Sequence, residues 1–226
     1  MKKVLGLALA SLAFAGAAQA AGDENFKAAE LLVGTTFGEQ GNLHAYYETN
    51  SDVGYHEFGI GYDFRDVAVE GLTLTPHYAF IKAVNGGDDK HRAQFRATYK
   101  FAENWMVRGE YRYTGGSQDQ NKTLPEGTPG RGNADKFDDV HRGRIGLGYD
   151  FGRVNVTYDA FAFRQTNDII AARENRRSWT AQEVQLNLNT GTGVTPFVRF
   201  IHTSDGGAAT QNKADDKALF GLSYWF

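Results

Sequence analysis

Along most of this chain hydrophobic and polar residues alternate one by one. In 91–101, Ala93, Phe95, Ala97, Tyr99 and Phe101 are apolar or aromatic, and Arg92, Gln94, Arg96, Thr98 and Lys100 between them are polar. A period of two describes a strand with one greasy and one wet face. Segment 105–113 repeats it, with Trp105, Val107, Gly109, Tyr111 and Tyr113 against Met106, Arg108, Glu110 and Arg112. Segment 139–151 does so again, with Ile145, Leu147, Tyr149 and Phe151 opposite Arg142, Arg144, Gly146, Gly148 and Asp150. Further strands are predicted at 27–37, 42–50, 55–64, 71–82, 153–164, 178–188, 195–203 and 217–226. Each has about ten residues, the length of a tilted strand crossing a bilayer, whereas strands of globular proteins average about five to six. In a membrane such strands must close on themselves, because an open edge would leave backbone groups unpaired in hydrocarbon.

The connections alternate in length. Those at 204–216, 165–177 and 115–138 are long and 83–90 is intermediate, whereas 189–194, Gly152 and 102–104 are short. Outer-membrane barrels have short periplasmic turns and longer outer loops, so the rhythm predicts a periplasmic C terminus. The last segment, in which Ala218, Phe220, Leu222 and Tyr224 alternate toward a terminal Phe226, has the form of a final barrel strand. Trp105, Tyr113, Tyr149 and Phe151 near strand ends read as aromatic girdles. Fold class is therefore all-β, a transmembrane antiparallel up-and-down barrel. Eleven strands are countable, but bacterial single-chain barrels use an even number. Twelve strands are expected, with 22–26 as a short extra one; the alternative is ten, with 27–37 not spanning.

Composition adds export. Lys2 and Lys3, the apolar run 4–15 and Ala18-Gln19-Ala20 form a secretory signal peptide, predicted to be cut after Ala20 and to leave 21–226 as the barrel domain. The chain has no Cys, which excludes disulfides, thiolate metal sites and a Cys nucleophile. Its formal charge of −3 gives no argument for nucleic acid. Past the signal, no apolar run reaches the roughly 18 residues of a membrane helix.

Twelve strands enclose a narrow pore, wider than a side-chain-filled eight-stranded barrel and narrower than a porin of 16 to 18. If the apolar sets face lipid, Arg92, Arg96, Lys100, Arg108, Arg112, Arg142 and Arg144 project inward as one connected basic patch, and Arg199 adds a further cation. Low-dielectric walls focus such a field into the channel and concentrate anions there. Guanidinium forks also match carboxylates, which suits acidic sugars. Alternatively the arginines pair with lumen acids such as Glu48, Glu57, Asp63, Glu110, Asp150 and Glu183 and brace the barrel; cations on one wall and acids on the other would set up a transverse field. Gly146 and Gly148 either leave room for a solute or permit strand coiling.

The six His have no metal-ligand spacing and read as girdle or lumen residues. The acid pairs 88–89, 138–139 and 215–216 read as solvated loop charge. Ser51, Ser117, Ser178, Ser204 and Ser223 lack the context of a nucleophile, although His202 and Ser204 lie close in sequence. An enzyme is not expected, a barrel hydrolase being the minor alternative, and neither is a cofactor or a metal. A surface-binding barrel acting through 115–138 is the other alternative.

Segment 104–113, Asn-Trp-Met-Val-Arg-Gly-Glu-Tyr-Arg-Tyr, followed by a long polar loop and Asp139-Val140-His141-Arg142, resembles the middle of the oligogalacturonate-specific porin family (KdgM-type), with its sialic-acid channel relatives. Thr195-Pro196-Phe197-Val198 and the strand order from Gly71 onward are similar to that family too. The resemblance covers roughly the C-terminal two thirds; the N-terminal part is shorter and matches poorly. It implies a monomeric twelve-stranded outer-membrane channel of a Gram-negative bacterium, a passive path for acidic oligosaccharides or small anions, with Arg108, Arg112 and Arg142 lining the pore.

Overall fold

The computed structural model describes residues 26–38, 42–50, 55–83, 89–116, 139–167, 171, 177–204 and 215–226. Each alternating segment is a strand: β1 (Phe26–Phe37), β2 (Leu43–Asn50), β3 (Tyr55–Tyr62), β4 (Phe64–Arg65), β5 (Leu72–Ala83), β6 (Lys90–Lys100), β7 (Trp105–Gly116), β8 (Val140–Asp150), β9 (Val154–Gln165), β10 (Ser178–Leu188), β11 (Val194–Thr203) and β12 (Asp215–Trp225). They form one sheet closed into a barrel. Antiparallel neighbours follow chain order from β1 to β12, with β3 pairing β5 directly, and β12 returns to β1.

The closure gives eleven or twelve strands, depending on whether β4 is counted. Eleven strands are long, and the twelfth is the two-residue β4, which continues β3 beyond Asp63 along β5. An up-and-down barrel with an odd number of long strands has its first and last strands running the same way. β1 and β12 accordingly pair parallel, from Ala29 beside Phe220 to Gly34 beside Trp225. β1 therefore begins at the end of the barrel opposite Phe226. β1 is a full strand of 12 residues, which removes the ten-strand alternative. Of the extra strand expected at 22–26, Phe26 opens β1 and the rest lies outside the described residues.

The two-residue period is visible in exposure. Ile145 is 66% exposed on the outer face, and its neighbours Arg144 and Gly146 face in. The short turns gather at one end. At 151–153, Gly152 has φ +87°, a left-handed conformation that glycine adopts without a Cβ penalty, and its N–H donates to Asp150 Oδ1 at 2.7 Å. Around this end Phe101, Trp105, Tyr149 and Phe151 form a continuous aromatic cluster on the outer face, with Trp105 and Tyr149 edge to face at 4.6 Å. No helix among the described residues is long and apolar enough to cross a membrane, which says nothing against a barrel.

Inward glycines give large neighbours room. A Cβ at Gly34 would meet the Trp225 ring, at Gly59 the Tyr46 ring, at Gly148 Met106 and at Gly221 the Phe197 ring. These pairs fill the lumen with side chains from adjacent strands rather than leaving a wide pipe.

Candidate functional site in the barrel lumen

Inside the barrel lies a cavity of about 500 Å³. Seven of the eight predicted cations line it: Arg92 and Arg96 from β6, Arg108 and Arg112 from β7, Arg142 and Arg144 from β8, and Arg199 from β11. Lys100 does not. It shares their parity but is exposed at the short-turn end of β6, where the strand leaves the barrel.

Acids neutralise most of these guanidinium groups. Glu110 lies directly between Arg96 and Arg144 in the β6–β7–β8 ladder, accepts from Arg96 Nε at 3.0 Å, and is also bonded by Arg142. Asp159 on β9 is held by two arginines at once: Arg108, whose Nε donates at 2.8 Å, and Arg144, whose Nε and Nη2 both donate at 2.7 Å. The side chains of Glu110 and Asp159 are fully buried beneath this layer. Arg92 reaches over buried Ala79 to Glu57, at 2.6 and 2.7 Å from its two oxygens, while Tyr46 donates to the same carboxylate at 2.5 Å. Arg199 bonds Glu30 at 2.9 Å and lies 3.4 Å from Glu183. Phe161, buried on β9, carries Arg142 and Arg144 over its ring at 4.9 and 5.2 Å.

Arg112 is different. It lies directly across from Arg142 in the β7–β8 pair and from Gln94 in the β6–β7 pair. Among the described residues it makes no hydrogen bond or ion pair. Like charges placed opposite each other in a ladder repel. Nε of Arg92 and Nε of Arg142 are also buried without an acceptor among the described residues. The layer of Arg112 thus holds more donors and positive charge than the described residues compensate.

The opposite wall is acidic. Glu30, Glu48 and Glu57 come from β1, β2 and β3, and Glu183 from β10. Glu48 has only a hydroxyl, Tyr55 Oη at 2.7 Å, as its hydrogen-bond donor among the described residues. Among the described residues, with Asp63 and the buried Glu110 and Asp159, seven carboxylates accompany seven arginines inside the barrel, so these charges are neutral in sum and polarised across its width.

Of the acids expected as partners, Glu57, Glu110 and Glu183 pair with arginine, whereas Glu48 pairs with Tyr55 and Asp63 accepts from Thr75 at 2.6 Å. Asp150 is not a lumen acid: it is exposed and caps the turn at Gly152. Asp159, Glu30 and Phe161 were not picked out by the sequence. In 153–164 both faces carry aromatic residues, and Leu31 to Val33 blurs the parity around Glu30; a lone acid in an otherwise apolar strand was the available signal. Gly146 leaves room for the Asp159 bridge and Gly148 for Met106.

His44 and His77 line the cavity, stacked at 6.2 Å. No cluster of three metal-ligating side chains occurs among the described residues. Ser204 Oγ bonds Thr180 Oγ1 at 2.6 Å, and His202 bonds Asp216 at 2.6 Å, so these two neighbours in sequence do not form a dyad. Of the paired acids, Asp88 and Asp138 lie outside the described residues, as does 117–138.

No family model matches the sequence, and no curated protein matches it. Solved structures do match its fold. A structure of the NanC porin aligns with a TM-score of 0.61 at 14% identity, covering 87% of this chain and 97% of that one. The KdgM porin in complex with disordered oligogalacturonate aligns at 0.52 and 12% identity, over 76% of this chain and 82% of that one. A second KdgM structure gives 0.50 at 12% identity, over 76% and 81%. In fold the chain is similar to the oligogalacturonate and sialic-acid porins, the family that its segments 104–113 and 139–142 resemble.

Proposed function

We propose that this barrel is a passive outer-membrane channel for acidic oligosaccharides, of the oligogalacturonate kind, or other small anions. The observation that carries this reading is Arg112, a lumen guanidinium set opposite Arg142 with no acid partner among the described residues. A carboxylate passing through the lumen supplies the missing acceptor, and a guanidinium fork binds it through two N–H groups. Six of the seven arginines already hold protein carboxylates, so the passing anion is bound loosely and released, as conduction requires. No covalent step and no cofactor enters. The same reading places a monomer in the outer membrane of a Gram-negative bacterium, among its lipids, exported by the segment 1–20.

The test is conductance of the refolded chain in planar bilayers under a salt gradient, followed by added oligogalacturonate. Anion-selective openings that the acidic sugar blocks are expected, with the selectivity reduced in Arg112→Gln. Cation preference that Arg112→Gln leaves unchanged would sink the reading. A folded but silent barrel would turn the arginines into braces and favour loop-mediated binding.

A further inference from the structure

Four outer-face hairpins share one device, at the end of the barrel opposite the short turns. Tyr47 on β2 is bonded to His56 Nδ1 on β3 at 2.7 Å. Tyr78 on β5 is bonded to His91 Nδ1 on β6 at 2.5 Å, and Tyr111 on β7 to His141 Nδ1 on β8 at 2.6 Å. In the fourth hairpin Tyr158 on β9 donates to Gln182 Oε1 on β10 at 3.1 Å. The register is the same each time. Directly opposite the four tyrosines stand Phe58, Ala93, Gly143 and Val184, and the bonded partner is the residue two places farther toward the strand end.

This bond has a chemical consequence. Taking the phenol as the donor to Nδ1 puts the proton of a neutral imidazole on Nε2; in a charged imidazole Nδ1 donates to the phenol oxygen instead and Nε2 again carries a proton. Nε2 is a donor in both of these states. Gln182, its oxygen occupied by Tyr158, likewise keeps its NH2 as a donor. Among the described residues none of these four nitrogens meets an acceptor. The carboxylates nearby are engaged: Asp89 by Lys82 at 3.0 Å, Asp139 by Tyr113 at 2.5 Å, and Asp216 by His202. Arg164 stands directly across from His141, adding a cation at the same level.

We infer that this belt binds the phosphate groups of lipids in the leaflet around the long-loop end of the barrel. This rests on the reading that the barrel spans a membrane. The tyrosines sit where an aromatic girdle meets the lipid headgroups, and the donors one step farther out stand at phosphate level. A belt of donors without acceptors among the described residues, with Arg164 among them, is complementary to an anionic oxygen-rich headgroup and not to hydrocarbon.

The refolded full chain tests this in vesicles of phosphatidylcholine, with and without phosphatidic acid, a phosphate-monoester lipid present in both leaflets whatever the direction of insertion. The readout is the unfolding temperature of the inserted barrel. An increase of several degrees with phosphatidic acid is expected in the native chain. It should be lost in the triple variant His56→Phe, His91→Phe, His141→Phe, which keeps apolar rings and removes the donors. It should persist in His56→Gln, His91→Gln, His141→Gln, which copies the arrangement of Gln182. An equal increase in the Phe variant, or its loss in the Gln variant, overturns the assignment. So does an equal increase when inorganic phosphate is added to phosphatidylcholine vesicles, because the site would then serve a soluble anion. Failure of the native chain to insert in either vesicle overturns the membrane reading itself.

Discussion

Gly146 on β8 sits where the carboxylate of Asp159 leans across from β9, and a Cβ there would collide with Asp159 Oδ1 and press on Arg108 Nε at 3.0 Å. The absence of a side chain at one position thus makes a buried bridge possible at the next. Gly146→Ala should destabilise the inserted barrel by about 1 to 3 kcal/mol, the usual cost of overpacking a tight site. Urea unfolding in vesicles measures it; a neutral substitution would mean that the bridge has room to spare.

Asp159 is the common acceptor of Arg108 and Arg144. Asp159→Asn removes the charge and leaves two half-buried guanidinium groups short of compensation. A loss of about 3 to 5 kcal/mol is expected, as for a buried ion pair stripped of one partner. Reversal potentials should shift toward stronger anion preference at the same time, because the lumen loses a negative charge.

Arg112 should behave in the opposite way. With no acid partner among the described residues and Arg142 facing it, Arg112→Gln relieves repulsion and should leave unfolding free energy within about 0.5 kcal/mol of the native chain or slightly higher. Anion preference should fall. Arg108→Gln provides the contrast, since it opens the Asp159 bridge and costs stability. Equal destabilisation by both would show that Arg112 is a brace like the others.

Glu48 supplies the complementary prediction on the acidic wall. Tyr55 can still donate to a Gln side chain, so Glu48→Gln should cost little stability. It removes one of the acids that oppose the arginines, and single-channel reversal potentials should move toward anion selectivity. Movement toward cations would refute a transverse polarisation.

The parallel seam is tied at its last residue. Phe226 N–H donates to Gly34 O at 3.2 Å, and Thr35 Oγ1 donates to Phe226 O at 2.7 Å. Deletion of Phe226 removes both bonds and should slow folding into vesicles several-fold, read from the appearance of the heat-modifiable form on gels. Unchanged folding kinetics would show that the seam closes without its terminus.

Residue alternation by itself determined the long strands to within a few residues, and with them which side of 91–101, 105–113 and 139–151 faces in. The reason is physical: side chains on a strand switch faces at every step, so one greasy and one wet set fixes the orientation of both. That is how the six lumen arginines of these segments were legible in the chain, with Arg199 of 195–203 as the seventh. Lys100 shows the limit, because parity assigns a face but not whether the strand is still inside the barrel at that residue.

What only the tertiary structure decided is pairing. Glu57 and Arg92 are 35 residues apart, and Arg108 and Asp159 are 51 apart. Each pair spans two places in the sheet, across β5 and across β8, and the register that brings the two side chains to one level is not encoded by any local pattern. The parallel closure of β1 on β12 was equally out of reach, since strand direction at the seam follows from the number of strands in the whole ring. Arg112 belongs to the same class: its residue type and face were plain in the chain, but that it meets no carboxylate among the described residues depends on the register, which sets Gln94 and Arg142 beside it.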